Sequence, residues 1–301
     1  MPDRVPLIVN PAARSRHAVR AVAQLRALDP APELYFTERP GHATEIAEKL
    51  ANEGRELVVA AGGDGTVNEV LQGLCRVNAT RPDVASHTAL GTLPAGTMNV
   101  FALELGYRSH KELAGPWRIM TGGARRQVDL WEANGQYFVQ LAGIGFDAEI
   151  IRHTTSESKN RLGPLSYLFS ALKVIRQPSP LLTVTVEGRP DLHGSLVLVG
   201  NGRNYGGRFR MFRYARHSDG RLDVLIFREP INLWNGLQLL RGTFFGGYRR
   251  KEDIDYLQLD QFTVTSEREV AFEVDGELAG RTPVTFNKSS FPLRVAAEPA
   301  A

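Results

Sequence analysis

The sequence predicts two architectures in one chain: an α/β domain with a doubly wound parallel sheet, followed by an all-β domain built as an antiparallel sandwich. Three observations predict this fold class. Strand-like and helix-like segments alternate four times, short strands replace that rhythm after Gly122-Gly123, and 301 residues exceed one typical domain. We place the two domains at residues 1–124 and 125–290, and we expect residues 291–301 to form a C-terminal segment that can pack back on the first domain.

Each predicted strand of the first domain is followed by a predicted helix. The strands are Val5–Val9, Glu33–Thr37, Leu57–Ala61 and Thr88–Leu93. After the third strand, apolar residues at positions 67, 70, 71 and 74 have the spacing of a buried helix face. Thr66 and Glu69 fit a capping box, which predicts that this helix begins at Thr66. Successive strand–helix pairs favour a parallel sheet with helices on both faces.

The second domain shows the pattern of short antiparallel strands. Two predicted strands, Arg126–Ala133 and Gln136–Ala142, are joined by Asn134-Gly135, which is a strong signal for a type I′ hairpin. Further strands are predicted at 181–186, 195–199, 222–227 and, as a series, from 255 to 286. Two helical pieces, 165–176 and 233–245, interrupt them.

The composition excludes several classes of protein. A hydrophobic content of 43% with 23% charged residues is typical of a globular protein with a core, and a net charge of +3 is too small for a dedicated nucleic-acid binder. The single cysteine, Cys75, excludes an intrachain disulfide, and the histidines lack metal-ligand spacing. No signal peptide and no apolar stretch of ~20 residues is evident. We therefore expect a cytoplasmic protein that can contact membranes peripherally.

The stretch Gly62-Gly63-Asp64-Gly65-Thr66 lies between a buried strand and an amphipathic helix. Bare N–H groups at a helix N-terminus favour an anion such as phosphate, and glycines let a ligand approach the backbone closely. The Asp64 carboxylate would repel phosphate unless a cation such as Mg²⁺ bridges the two. The turn therefore predicts a magnesium–nucleotide site, with a plain tight turn as the alternative. Asn10, Thr37, Gly96 and Thr97 also follow predicted strands, at the sheet edge where ligands bind in such folds.

Five motifs that follow one another along the chain resemble the diacylglycerol kinase and sphingosine kinase superfamily, and most closely its bacterial soluble YegS-type lipid kinases. They are Gly62-Gly63-Asp64-Gly65-Thr66-Val67-Asn68-Glu69-Val70, Leu93-Pro94-Ala95-Gly96-Thr97-Met98-Asn99, Asn204-Tyr205-Gly206-Gly207, Ser218-Asp219-Gly220 and Asp275-Gly276-Glu277. The resemblance implies an α/β nucleotide domain and a C-terminal β-sandwich, with the active site in the cleft.

The resemblance also implies roles for individual residues. The expected ATP contacts are Asn10, Thr37, Gly62, Gly63, Asp64, Gly65, Thr66, Asn68, Glu69, Gly96, Thr97 and Asn99. Glu277 occupies the position of the family's proton acceptor, and we count Asp275 and Asp64 with it as candidate catalytic residues. The carboxylate of Asp219 with the backbone carbonyls of Arg216 and Arg221 corresponds to a Mg²⁺ site.

Asp275 and Glu277 flank a glycine in a strand-like run. We therefore expect them to point the same way and to share a cation or couple their titrations. The alternative is an ordinary polar β-turn, for which Asp-Gly is a common sequence. A carboxylate at either position could accept the proton of an attacking hydroxyl group.

These observations favour an ATP- and Mg²⁺-dependent phosphotransferase with an alcohol group as acceptor. The substrate would be a lipid hydroxyl of the diacylglycerol-like, sphingoid or phosphatidylglycerol type. The alternatives are a NAD kinase-like enzyme, which shares the Gly-Gly-Asp-Gly-Thr turn, and a non-catalytic nucleotide- or lipid-binding regulatory protein. The acceptor lipid stays open, as does a possible homodimer.

Two further features set this chain apart. The loop Ala12-Ala13-Arg14-Ser15 lacks the glycine that relatives often carry there, and Val100 stands where many relatives have Asp. The stretch 208–214 alternates basic and apolar residues. It is either a basic, aromatic lip for an anionic membrane or a strand with one solvated face.

Overall fold

The computed structural model describes residues 4–11, 23–96, 98–107, 113–153, 179–207, 209–230 and 253–298. The altered loop at 12–15, the predicted helices at 165–176 and 233–245, Thr97 and Arg208 lie outside these residues. The described chain divides into two compact units. The first holds the residues up to 130 together with 206–207 and 289–298, and the second holds 131–205 and 209–288.

The first unit is built on a six-stranded sheet, which we number along the chain. Its strands are β1 (Pro6–Val9), β2 (Glu33–Phe36), β3 (Leu57–Gly62), β4 (Ala89–Pro94), β5 (Arg126–Val128) and β20 (Leu293–Val295), in the order β2-β1-β3-β4-β20-β5. All neighbouring pairs are parallel except β20–β5. The predicted parallel sheet is confirmed, and its last parallel strand comes from the C-terminal end of the chain.

Four helices whose two ends both lie among the described residues accompany this sheet. They are α1 (His42–Asn52), α2 (Asp64–Asn78), α3 (Val100–Glu104) and α4 (Ala114–Thr121). The predicted apolar face of α2 is confirmed, because its four residues are at most 5% exposed. The predicted start at Thr66 is wrong: α2 begins at Asp64, Gly63 is its N-cap, and no side chain caps it.

The second unit is a sandwich of two antiparallel six-stranded sheets. Its strands are β6 (Trp131–Ala133), β7 (Gln136–Phe138), β8 (Leu141–Gly145), β9 (Leu182–Thr185), β10 (Leu192–Gly194), β11 (Leu196–Gly200), β12 (Asn204–Tyr205), β13 (Phe209–Arg210), β14 (Leu222–Phe227), β15 (Ile254–Leu259), β16 (Gln261–Ser266), β17 (Ala271–Val274), β18 (Glu277–Arg281) and β19 (Val284–Lys288), with helix α5 (Phe146–His153) after β8. The two sheets have the orders β10-β9-β16-β19-β6-β7 and β15-β14-β11-β8-β17-β18, and β12 and β13 form a separate hairpin.

Both sheets contribute to one hydrophobic core, which confirms the predicted sandwich. Trp131 and Phe286 of the first sheet lie in the same buried cluster as Ile144 and Phe272 of the second. The rings of Phe262 and Phe286 stack with their centroids 4.7 Å apart. Aromatic side chains bury large areas, and side chains from the inner faces of both sheets together form the core of such a sandwich.

The hairpin at Asn134-Gly135 is confirmed, since both residues have positive φ angles (50° and 82°) and Ala133 pairs with Gln136. The two long strands predicted around it are not continuous. Residues 126–128 pair in the sheet of the first unit, whereas β6 and β8 belong to different sheets of the second. Alternation of apolar residues cannot show which sheet a strand joins, so this division is invisible in the sequence.

Among the described residues, none of the helices combines the length and apolar character needed to cross a bilayer.

Candidate active site

The predicted site residues fall in both units. In the first unit, the loops that follow β3 and β4 touch through their backbones. The carbonyl of Gly62 accepts hydrogen bonds from the N–H groups of Ala95 (3.0 Å) and Gly96 (3.1 Å). A Cβ atom on Gly96 would lie 2.3 Å from the Cα of Gly63. Glycine is therefore required at position 96 by the approach of two backbones, independently of any ligand.

Thr66 packs against the first of these glycines. A Cβ atom on Gly62 would lie 2.4 Å from the Thr66 hydroxyl oxygen, so the two residues fit only with glycine at 62. The side-chain amide nitrogen of Asn10, which follows β1, donates a hydrogen bond to the same Thr66 oxygen (3.5 Å). Thr37, which follows β2, is buried, and its N–H donates to the carbonyl of Val9 (2.9 Å). The structure thus brings the residues that follow β1 and β3 into contact. This agrees with their predicted place at the ends of neighbouring strands.

Asn99 closes the second loop. Its side-chain oxygen accepts a hydrogen bond from Gly96 N–H (2.8 Å), and its amide nitrogen donates to the Gly96 carbonyl (2.9 Å). The residue has a left-handed conformation (φ 51°), which asparagine tolerates better than most residues. Asn99 therefore shapes the loop before α3.

Asp64 links the two loops. Its carboxylate is partly buried at the start of α2 and lies 3.4 Å from the N–H of Phe101, in the first turn of α3. Burial raises the pKa of the Asp64 carboxyl, while backbone N–H groups of Phe101 and Val100 act in the opposite direction. The carboxylate thus occupies a position at two helix N-termini, where negative charge is favourable.

Glu69 does not cap its own helix. Its carboxylate accepts a hydrogen bond from the N–H of Ala43 (3.1 Å) in the first turn of α1, and its carbonyl accepts one from the Thr44 hydroxyl (2.9 Å). The capping-box prediction is therefore wrong because the carboxylate that would have turned back to residue 66 caps the neighbouring helix. α1 has Gly41 as its N-cap and no side-chain cap of its own.

Asn68 is 8% exposed, and the amide nitrogen of its side chain stands out among the buried polar atoms. Within the described residues its amide nitrogen is buried and makes no hydrogen bond. A buried donor without an acceptor costs about 1–3 kcal/mol, which a ligand acceptor or a water molecule would recover. Of the remaining nucleotide candidates, Gly65 lies in the first turn of α2, and Thr97 lies outside the described residues.

In the second unit, Asp275-Gly276 forms the two-residue turn between β17 and β18. Val274 pairs with Glu277, and both turn residues have positive φ angles (49° and 86°). The expectation that Asp275 and Glu277 point the same way from one strand is therefore wrong. The polar β-turn, which the sequence left as the alternative, is what this hairpin contains, because only such a turn reverses the chain in two residues.

The Asp275 side chain is turned into the protein. One carboxylate oxygen accepts hydrogen bonds from the N–H groups of Gln140 and Leu141 (both 2.9 Å), and the other accepts one from Val139 (3.0 Å). Asp275 is 8% exposed, whereas Glu277, the first residue of β18, is exposed. Asp275 thus fixes the hairpin that carries Glu277, and the two carboxylates have different environments.

A polar network that the sequence reading missed supports the same segment from the other side. Asn201 accepts a hydrogen bond from the Trp131 indole (2.9 Å) and donates to the Val139 carbonyl (2.7 Å). The Gln140 side chain contacts the Asn204 carbonyl (3.1 Å) and the His217 ring (3.1 Å). The signal that could have revealed it is Gly200-Asn201-Gly202, an asparagine between two glycines at the end of a buried strand.

The acidic residues fit a magnesium ion that is shared with phosphate oxygens better than one enclosed by protein ligands. Nowhere in the described part of the chain do three or more His, Cys, Asp or Glu side chains form a group that could hold a metal. Mg²⁺ in kinase sites typically needs only one or two carboxylates with substrate phosphates and water. Asp64 offers one carboxylate at the glycine loops. Asp219 is exposed, as are Arg216 and Arg221, and one Asp219 oxygen already accepts the Arg221 N–H (3.1 Å).

Comparison with known proteins finds two family models that match this chain, one after the other along the sequence. Residues 4–133 match the family model of the diacylglycerol kinase catalytic domain. Residues 141–297 match the model of the YegS C-terminal NAD kinase β-sandwich-like domain.

Individual relatives extend over nearly the whole chain. The chain is 28% identical over 290 residues to a diacylglycerol kinase of Bacillus subtilis (strain 168), covering 94% of this chain and 92% of the relative. It is 26% identical over 292 residues to one of Staphylococcus aureus (strain MRSA252), covering 95% and 90%. The crystal structure of a provisionally named diacylglycerol kinase from Bacillus anthracis str. Sterne superimposes with a TM-score of 0.77 at 26% identity, covering 98% and 95%. The chain therefore belongs to the diacylglycerol kinase family of lipid kinases, phosphotransferases with an alcohol acceptor, in the branch with a YegS-type C-terminal domain.

Proposed function

We propose that this protein transfers the γ-phosphoryl group of ATP, with Mg²⁺, to the hydroxyl group of a lipid, and that the lipid is of the diacylglycerol type. The observation that carries the proposal is the backbone contact between Gly63 and Gly96 at the edge of the parallel sheet. It sets two glycine loops side by side where α2 begins. The choice of a diacylglycerol-type acceptor over a sphingoid or phosphatidylglycerol-type one follows the names of the relatives.

The nucleotide phosphates would bind at the start of α2. The N–H groups of the first turn, residues 64–66, have no carbonyl within their own helix to accept them, and such groups favour phosphate oxygens. The buried amide of Asn68 in the next turn lacks an acceptor among the described residues, which a polar ligand could supply. Both features support binding of a polyanion at this end of the sheet.

Magnesium would be held by the Asp64 carboxylate together with the phosphates, and its chemistry would be to neutralise phosphate charge. Burial raises the Asp64 pKa, so a neighbouring cation would restore the ionised form. We assign Asp219, with the carbonyls of Arg216 and Arg221, as a second place for the ion.

Glu277 would act as the proton acceptor. In the reaction, the lipid hydroxyl oxygen forms a bond to the γ-phosphorus while the bond from that phosphorus to the ADP oxygen breaks. The hydroxyl proton passes to the Glu277 carboxylate, which is exposed and therefore accessible to a substrate. Asp275 is a positioning residue in this scheme, since its carboxylate is occupied by three backbone N–H groups.

The test is phosphate transfer from γ-labelled ATP with Mg²⁺ to diacylglycerol, sphingosine, phosphatidylglycerol or ceramide in mixed micelles, with NAD in parallel. We expect label in diacylglycerol, and none with Glu277→Gln, which keeps the size of the side chain but cannot take up a proton. The Gln variant should still bind ATP by calorimetry. Label in NAD alone would overturn the assignment as a lipid kinase, and tight ATP binding without any product would favour a regulatory binding protein.

A lipid kinase must meet its substrate at a bilayer, so the proposal includes a transient peripheral contact with the membrane surface.

A further inference from the structure

The segment 203–216, whose described residues belong to the second unit except for 206–207, carries a concentration of positive charge. This segment contains five arginines and neither Asp nor Glu. Four of the arginines, at 203, 210, 213 and 216, are described and exposed. Elsewhere the exposed arginines of the described chain are often paired, as Arg39 is with Glu45 and Arg228 with Asp255. No salt bridge joins any of these four to a described acidic residue.

The segment folds back on itself, which brings the arginines together. Asn204 pairs with Arg210 across the β12–β13 hairpin. The N–H of Phe212 donates to the Arg203 carbonyl (3.2 Å), and the Arg203 guanidinium donates to the carbonyl of Ala215 (3.2 Å). Arg203 therefore lies next to residues 212 and 215, close to Arg213 and Arg216 along the chain. We call the exposed side chains of Arg203, Arg210, Arg213, Tyr214 and Arg216 the arginine face.

Two apolar residues of the segment, Met211 and Phe212, point the other way. Met211 is 3% exposed, Phe212 is fully buried, and both pack in a cluster with Leu198 of β11 and Leu225 of β14. The alternation in the sequence is thus explained by an anchored segment with one solvated side. An aromatic wedge that inserts Phe212 into a bilayer is excluded, because that ring belongs to the core.

Tyr214 differs from these two residues, since it is 56% exposed. Its N–H donates to the hydroxyl of Tyr256 (3.1 Å), and the two rings meet edge to face with centroids 5.3 Å apart. The Tyr256 hydroxyl in turn donates to the buried Asp223 carboxylate. Tyr214 is therefore held in place among the arginines, with one end of its ring in solvent.

We propose that the arginine face binds the anionic surface of a lipid bilayer, through charge and without deep insertion. The proposal rests on the proposed function only in that a lipid kinase needs such a contact. Basic side chains next to an anionic membrane each contribute to adsorption, and tyrosine is suited to the level of the headgroups. Nucleic acid is the less favoured anion, because the whole chain carries a net charge of only +3 and the face offers a single exposed ring for stacking.

The experiment is flotation of the full-length protein with vesicles of phosphatidylcholine alone and with vesicles in which a third of the lipid is phosphatidylglycerol. We compare Arg210→Gln/Arg213→Gln with Arg189→Gln/Arg268→Gln, which removes the same charge from exposed arginines in turns elsewhere in the same unit. The wild type and the control should bind the anionic vesicles only. The Arg210/Arg213 variant should bind them roughly five- to thirtyfold more weakly. Binding of the wild type should weaken steeply with salt as the Debye length falls below ~10 Å.

Equal vesicle binding by the two double variants would overturn the proposal, and so would a preference for single-stranded RNA over anionic vesicles in a competition assay. Thermal unfolding checks that both variants are folded, which the exposure of all four side chains leads us to expect. Phosphorylation of a water-soluble, short-chain diacylglycerol should be unchanged in the Arg210/Arg213 variant. If the wild type phosphorylates no lipid, the proposed function fails, while the vesicle comparison still decides the role of the arginine face.

Discussion

The carboxylate of Glu69 in α2 accepts a hydrogen bond from the backbone N–H of Ala43, at 3.1 Å, and so serves as the N-terminal cap of α1. α1 follows the loop that leaves β2 at Thr37, one of the residues predicted to contact the nucleotide. Glu69 therefore ties the β2–α1 loop to the helix on which we place the phosphates. We propose that Glu69 positions that loop, and the direct ATP contact that the family resemblance implies stays a prediction.

Glu69→Ala should raise KM for ATP several-fold with a smaller change in kcat, because the loop loses its attachment while the proton acceptor is untouched. The free energy of unfolding should fall by about 1 kcal/mol, as for the loss of a helix cap. Glu69→Gln keeps an acceptor oxygen and should recover most of both losses. Steady-state kinetics and urea unfolding measure the two effects. If Gln and Ala weaken ATP use equally, the carboxylate acts on the ligand directly.

Gly96→Ala should destabilise the first unit by roughly 1–3 kcal/mol, the range for an overpacked site, because its Cβ would meet the Gly63 backbone. Gly63→Ala is the matched control in the same contact. Its Cβ would lie 3.4 Å from the Gly96 Cα, and its φ angle of −89° suits any residue. The control should lose less, up to about 1 kcal/mol, because alanine is a poorer N-cap than glycine but meets no backbone clash here. Urea unfolding of both variants provides the comparison, and equal losses would argue against the backbone contact.

Asp275→Ala should loosen the segment 139–141, since three buried N–H groups lose their acceptor at about 1–3 kcal/mol each. Asp275→Asn keeps one acceptor oxygen and tolerates the left-handed φ of 49°, so its loss should be clearly smaller. Amide hydrogen exchange at Val139, Gln140 and Leu141 reports the effect directly. Protection that is unchanged in the Ala variant would contradict the assignment of Asp275 as a positioning residue.

Asp64 should make the stability of the ligand-free protein depend on pH. Burial raises its folded-state pKa above the ordinary value of 3.8, so the folded state binds more protons between the two values. The contribution of Asp64 to the free energy of unfolding is therefore largest below pH 3.8 and declines as pH rises through the folded-state pKa. Asp64→Asn lacks this decline. Urea unfolding over a pH series measures the free energy of unfolding of both proteins. Above pH 3.8 the variant should become increasingly stable relative to the wild type. A difference that stays constant with pH would contradict the raised pKa of Asp64.

Much of the first unit could be predicted because its signals are local. The strands at 57–62 and 89–94 are short, fully buried runs, and the glycines after them mark the loops directly. The motif residues Gly62, Gly96 and Asn99 fell at strand ends, and parallel pairing then placed those ends at one edge. Here the sequence pattern and the fold carry the same information.

The rest depended on contacts between residues far apart in the chain. The partner of the Asp275 carboxylate is a segment 134–136 positions away, and the partner of Glu69 is in another helix 26 positions away. An acidic residue next to a glycine has the same sequence whether it binds a cation, turns the chain or caps a neighbour. The burial of Phe212 was hidden for the same reason, because its cover consists of β11 and β14.

The position of β20 between β4 and β5 has a consequence for how the protein is made. The sheet that carries the glycine loops lacks an interior strand until residues 293–295 are present. A ribosome therefore synthesises residues 1–292 before this sheet can be completed. Every described strand of the sandwich, the last of which ends at Lys288, is synthesised earlier. Although the first unit leads the chain in sequence, its sheet is the last to gain all its strands, and a fragment that stops near residue 130 would lack one of them.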